Sequence, residues 1–277
     1  MRVLAWCSEK GGTGKSTSAI NCAVALAKSG SRVLLCDLDP QGNASLVLLN
    51  GEPAEPPSAA AVLLGEADAL DAIRPTGTPG LDVLPSALDL ADANVNLTGA
   101  IGRETRLRTA LEGAGYDFVV IDTPPTRSLL VVNALVAAEE VMIPVEPSLF
   151  SLAGLGALQS AIEDVRRYLG NPGLRIAGIL MTRTRNDNVS RDVESQLRTA
   201  FGDLVFKTTI PTSVKVEEAH GRFASVIDYA PRSPGARAYQ SLATEIIANG
   251  RTQKRSGPGA VGSVPADRQR DADRRAG

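Results

Sequence analysis

The eight residues KGGTGKST, Lys10 to Thr17, restrict the fold of this chain more than any other stretch. They follow the apolar run VLAWC (residues 3–7). They precede a segment, 16 to 29, whose apolar positions Ala19, Ile20, Ala23, Val24, Leu26 and Ala27 recur at helical spacing. A glycine-rich loop between a buried strand and a helix lets the backbone N–H groups of Gly11, Gly12, Thr13 and Gly14 turn onto phosphate oxygens, because glycine permits positive φ and close approach. The helix N-terminus adds its partial positive charge. In such a loop Lys15 reaches the β- and γ-phosphates, Ser16 offers a hydroxyl to Mg2+, and Thr17 completes the nucleotide-binding segment. The strict pattern GxxxxGK[ST] would need glycine where this chain has Glu9, and Lys10 is a second lysine. The loop is therefore a variant of the phosphate-binding type.

Five further short apolar runs, RVLLCD, LDVLP, DFVVID, VMIPV and IAGILM, alternate with helical patterns and read as strands buried on both faces. This predicts an α/β fold of the P-loop NTPase type, a doubly wound and mostly parallel sheet with helices on both faces, binding ligands at the carboxyl ends of its strands. Gly30 is placed to end the first helix. Residues 50–57 read as an exposed loop before a helix near 58–64. No interior stretch looks like a linker, so residues 1–249 are expected to form one phosphate-loop domain. The last 28 residues, 250–277, lack a periodic apolar face and read as a disordered basic tail, solvated by its charges and secondarily a contact for nucleic acid or a partner.

Charge bears on partners. The formal net charge is −2, but the tail carries seven Arg or Lys against three Asp, which leaves −6 for the body. Any nucleic-acid binding by the body needs a local patch. Cys7, Cys22 and Cys36 lie among apolar residues without metal-ligand spacing and read as reduced core thiols. The first apolar run is too short for a signal peptide and no run approaches ~18 apolar residues, so the expected location is cytoplasmic.

Two more segments complete a nucleotide site. VLLCDLDPQGN ends a strand at Asp37 and presents Asp39 two residues later, while FVVIDTPP ends another at Asp122. Carboxylates at the ends of buried strands beside a phosphate loop hold Mg2+ directly or through water, which gives Ser16, Asp37 and Asp122 as the metal set. Asp39 begins the following loop and is assigned to catalysis, near a water in line with the γ-phosphate. His220, the one histidine, reads as a surface or capping residue.

At these motifs the chain resembles the ParA family of deviant Walker-A ATPases, partition proteins related to MinD. The segment from Thr208 to Ile246 is similar to the closing region of chromosomal ParA/Soj proteins, so the resemblance covers nearly all of residues 1–248. It implies an ATPase whose slow hydrolysis of ATP with Mg2+ is stimulated by a ParB-like centromere-binding protein. It further implies a homodimer, formed when ATP is bound, that binds DNA without sequence specificity and associates with the nucleoid. Lys10 matches the signature lysine that reaches across to the phosphates of the other subunit, and so joins Asp39 and Lys15 as a catalytic candidate. Gly12 fits the same scheme, because facing loops leave no space for a side chain. For adenine, the resemblance points to Thr182 and Arg183 and to Pro211 in IPT. DNA-contacting candidates are Arg185, Arg191, Arg198, Lys215, Arg222 and Arg237, in a window of nine bases against seven acids.

Departures narrow the branch. The chain starts its first strand at residue 2, so an operator-binding helix-turn-helix extension is not expected. The tail lacks an amphipathic face for a membrane, and the cluster cysteines of nitrogenase iron protein have no counterpart after Cys36. Two rival readings stay open: a ParA-like ATPase that positions a protein cargo such as a compartment, pilus or chemoreceptor cluster, and an ATP-dependent ligase on the same scaffold, such as one like dethiobiotin synthetase.

Overall fold

The computed structural model describes residues 1–148 and 153–256. Seven strands form one sheet: β1 (Arg2–Trp6), β2 (Val33–Asp37), β3 (Arg74–Pro75), β4 (Leu81–Leu84), β5 (Phe118–Asp122), β6 (Glu140–Val145) and β7 (Arg175–Met181). Their order across the sheet is β3-β4-β2-β5-β1-β6-β7, and every pairing is parallel except β3 with β4. The expected parallel α/β sheet is thus observed. β3 was not foreseen, since two residues including a proline carry no apolar run.

The strands alternate their side chains between two cores. Val3, Ala5, Leu34, Cys36, Val119 and Ile121 pack on one face beneath helices such as Ala59–Leu64, Leu129–Ala137 and Ala153–Tyr168. Leu4, Trp6, Val33, Leu35, Val120 and Met142 face the other, beneath the helices Lys15–Lys28 and Pro234–Ser256. Each fully buried Leu or Val is worth about 1.5–3 kcal/mol of transfer free energy. Apolar runs with no polar alternation are what a sheet covered on both faces requires.

Helix ends follow their sequence signals. Gly30 takes φ +94 just after Lys15–Lys28, and Ser58 caps Ala59–Leu64 by accepting a bond from the Ala60 N–H at 3.2 Å. The tail boundary needs correction: the last helix runs through Gly250 to Ser256. Its apolar stripe fades at Ile247, so the pattern stops, but the backbone ladder continues, and Gly250 is buried where a side chain would collide with the Arg2 guanidinium. The remainder of the expected tail, 257–277, lies outside the described residues.

Candidate nucleotide site

The chain leaves β1 at Trp6 and turns through residues 7–14 into the helix Lys15–Lys28. Gly12 and Gly14 both sit at φ +78, a conformation that costs other residues about 1–2 kcal/mol. Gly14 precedes the helix, and no side chain caps the helix N-terminus. Its first N–H groups are therefore left without a side-chain acceptor. The apex, Lys10, Gly11 and Gly12, is exposed, whereas Thr13 and Lys15 are buried. The base is braced from both sides: Thr13 Oγ1 donates to Ser8 Oγ at 3.1 Å, and the Thr13 carbonyl accepts from Thr182 Oγ1 at 2.7 Å.

Parallel register places Asp37 opposite Asp122 at the carboxyl ends of β2 and β5, and both are fully buried. Their surroundings differ. Asp37 Oδ2 accepts from the Ser45 N–H at 2.8 Å and the Ser45 hydroxyl at 2.7 Å, while Oδ1 accepts from the Asp39 N–H at 3.1 Å. Neither oxygen of Asp122 makes a hydrogen bond of good geometry among the described residues, although the Ser16 hydroxyl and the Thr123 N–H lie close enough to favour its charge. Lys15 Nζ lies 3.9 Å from Asp122 Oδ1 and donates to the Thr123 carbonyl. Burial raises the pKa of Asp122, against the opposing pull of the Lys15 ammonium and the nearby Ser16 hydroxyl. Burial, then repulsion from Asp122, raises that of Asp37, and Ser45 works against both. Of the two acids, Asp37 is committed to bracing the start of the helix Asn43–Leu48, and Asp122 is the open one.

Asp39 is nearly buried beside this pair. Its Oδ1 accepts from the Gln41 N–H at 3.0 Å and its carbonyl accepts from Ser86 Oγ at 2.7 Å, which fixes the DPQGN turn. No cluster of three or more His, Cys, Asp or Glu able to hold a metal occurs among the described residues. The orphaned Asp122 carboxylate and the Ser16 hydroxyl nonetheless suit Mg2+, which takes one or two protein ligands and draws the rest from phosphate and water.

A cavity of about 310 Å³ opens beside Gly14 and Thr17. Thr182, Arg183 and Pro211 line it, so the three positions expected near the base are brought together next to the loop. Arg183 adopts φ +51, unusual for a residue with a side chain, and its carbonyl is held by Thr212 Oγ1 at 3.0 Å. Val216, His220 and Tyr239 also line the cavity and were not anticipated there. Tyr239 sits in a helical apolar stripe that reads only as core, and IPT was the one sequence signal for this wall. His220 occupies the last turn of the helix Val214–His220, as capping would have it, yet also faces the cavity.

The basic candidates differ in freedom. Arg185, Arg191, Arg222 and Arg237 are exposed. Arg198 pairs with Glu194 at 2.8 Å and donates to the Phe206 carbonyl at 3.1 Å, and Lys215 pairs with Glu218 at 2.6 Å. Among the described residues no helix is long and apolar enough to cross a membrane.

Residues 1–176 match the family described as an AAA domain. The chain is 42% identical over 259 residues to the chromosome partitioning protein ParA of Caulobacter vibrioides, covering 92% of this chain and 97% of that one. It is 39% identical over 252 residues to the sporulation initiation inhibitor protein Soj of Bacillus subtilis, covering 90% and 99%. A solved structure, cobyrinic acid a,c-diamide synthase from Mycobacterium smegmatis with bound ADP and magnesium, superposes with a TM-score of 0.79 at 33% identity, covering 91% of this chain and 96% of that one. A variant phosphate loop, two buried strand-end acids and near full-length likeness converge: the chain belongs to the ParA/Soj family of partition ATPases, P-loop proteins of the ParA/MinD superfamily that use ATP with Mg2+.

Proposed function

We propose that this ATPase runs a dimerisation cycle on DNA, in which ATP closes two subunits face to face, the dimer holds DNA without sequence specificity, and a ParB-like partner stimulates the hydrolysis that releases it at the nucleoid. The observation that carries this reading is the bare, exposed apex of the loop. Lys10 is exposed and has no ion-pair partner among the described residues. A side chain built on Gly11 or Gly12 would meet nothing within 4 Å. The left-handed turn at φ +78 already calls for glycine at position 12, but nothing in the subunit itself calls for it at Gly11, whereas a second loop approaching with its own triphosphate would. Charge brought together in that way is offset by a lysine that each subunit lends the other.

Within one subunit, Lys15 and the loop N–H groups bind phosphate, and Ser16 with Asp122 would hold the metal. The chemistry a bound magnesium ion supplies is neutralisation of charge on the phosphate oxygens. Asp39 is placed to orient the attacking water, and Asp37 keeps the Asp39 backbone in position through its 3.1 Å bond. Thr182, Arg183 and Pro211 shape the cavity offered to the base. For DNA, the exposed Arg185, Arg191, Arg222 and Arg237 are better placed than Arg198 and Lys215, whose charges are already paired. A symmetric dimer would double such a patch, and its binding would weaken steeply with salt.

The ATP-dependent mass of the protein tests the reading. Lys10→Ala is expected to stay monomeric with ATP and Mg2+ in light scattering, and Asp39→Ala to retain ATP and remain on DNA. An ATP-dependent dimer of Lys10→Ala would overturn the role of that lysine. Undiminished turnover in Asp39→Ala would remove that acid from catalysis.

A further inference from the structure

Glu9 stands directly before Lys10, where a carboxylate is a nearby competitor for the ammonium. It is not free to compete. Arg127 Nε donates to Glu9 Oε1 at 2.8 Å, with the Arg127 side chain 68% exposed and that of Glu9 29%. Arg127 belongs to the turn after Asp122, TPPTR, and is followed by Ser128, which caps the helix Leu129–Ala137. The guanidinium is thus delivered from a fixed helix entry to the front of the phosphate loop. The Lys10 backbone is held as well, because its carbonyl accepts from Ser8 Oγ at 3.3 Å, an oxygen that itself accepts from Thr13 Oγ1. What stays free at the apex is the Lys10 side chain.

We infer that Arg127 is a positioning residue: by engaging Glu9 it keeps the Lys10 ammonium available for the phosphates of a second copy of this chain. The inference rests on the proposed role of Lys10. Its physical content is a choice of partner for one carboxylate. Left alone, Glu9 attracts Lys10 with the strength of an exposed ion pair, and its charge opposes an incoming triphosphate. An arginine suits this task better than a lysine, since a planar guanidinium presents several donors to a carboxylate and never loses its charge.

The magnitude follows from the exposure of the pair. An exposed pair changes an equilibrium by up to about five-fold. A two-fold dimer uses the residue twice, so the effect on dimer dissociation rises to as much as about twenty-five-fold. The test measures dimer dissociation by sedimentation, with Mg2+ and an ATP analogue that is not hydrolysed, for the wild type, Lys10→Ala, Arg127→Ala, Glu9→Gln and the double variant Glu9→Gln/Arg127→Ala. Arg127→Ala is expected to weaken the dimer several-fold, and the double variant to recover wild-type affinity, because the competing carboxylate is gone. A clasp that merely tied two loops together would give a double variant as weak as Arg127→Ala. That result, or an Arg127→Ala dimer of unchanged strength while Lys10→Ala stays monomeric, overturns the inference. A normal dimer of Lys10→Ala refutes the proposed role of Lys10, and this inference with it.

Discussion

A buried carboxylate without well-formed hydrogen bonds costs the folded chain about 1–3 kcal/mol or more, and Asp122 is such a group, offset only in part by Lys15, Ser16 and Thr123. The cost is sustained because the same oxygens are what a magnesium ion would take. Removing the charge should therefore trade one property for another. Asp122→Asn is expected to raise the stability of the nucleotide-free protein by about 1–3 kcal/mol in urea titration, and to remove the Mg2+ dependence of nucleotide binding. A variant less stable than the wild type would show that the Lys15 contact, at 3.9 Å, outweighs the burial of the charge. Asp37 makes the opposite case, since its three bonds satisfy it without a metal. Sequence placed both acids at strand ends but gave no means of telling them apart, because the difference lies in Ser45, a residue eight positions from Asp37 that only the folded turn brings back.

Among the elements, the amino-terminal edge of the sheet is tied by one acid. Glu140, at the start of β6, accepts from Arg2 of β1 at 2.7 Å and pairs with Arg175 of β7. Arg2 in turn donates to the Ile246 carbonyl in the last helix at 2.8 Å and lies 5.3 Å over the Phe118 ring of β5. Three strands thus share a single carboxylate that is 1% exposed, and Arg2 extends the tie to β5 and the final helix. Glu140→Gln leaves the arginines without their counter-charge. It is expected to cost about 3 kcal/mol or more and to lower the thermal midpoint by on the order of 10 °C, as calorimetry would record; an unchanged midpoint would mean the cluster is dispensable. The strands themselves were legible, because apolar runs of five or six residues admit few alternatives. The Arg2, Glu140 and Arg175 cluster was not, since charged residues at strand starts look like ordinary solvated ends until register aligns them. The extension of the last helix past Gly250 was hidden for a related reason: the backbone stays helical after the apolar stripe that marks a helix in sequence has ended.

At the level of the whole molecule, three free and buried thiols govern the alkaline limit of stability. Burial pushes Cys7 and Cys22 up to about 12 and Cys36 higher still. In the unfolded chain a thiol ionises near pH 8.5. Between that value and the native pKa the unfolded state has lost protons that the folded state keeps, so stability falls as pH rises, by about 1.4 kcal/mol per unit for each thiol. Below about pH 7 they contribute almost no slope. Urea midpoints measured from pH 8 to 10.5 are expected to drop steeply, and less steeply by one thiol in Cys22→Ala; a flat profile would contradict the burial of these groups. The sheet order has a consequence for how the chain is made. β1, which leads into the phosphate loop, pairs only with β5 and β6, through Arg2 with Phe118 and Leu4 with Glu140. The ribosome therefore delivers the nucleotide loop first, and the strands that flank it only from Phe118 onward. At about 5–20 residues per second, the nascent loop waits on the order of ten seconds before the strands on either side of β1 exist, so nucleotide has no finished site to bind over that interval. The first strand made thus ends between two strands from the middle of the chain, inserted into the sheet rather than added at its edge.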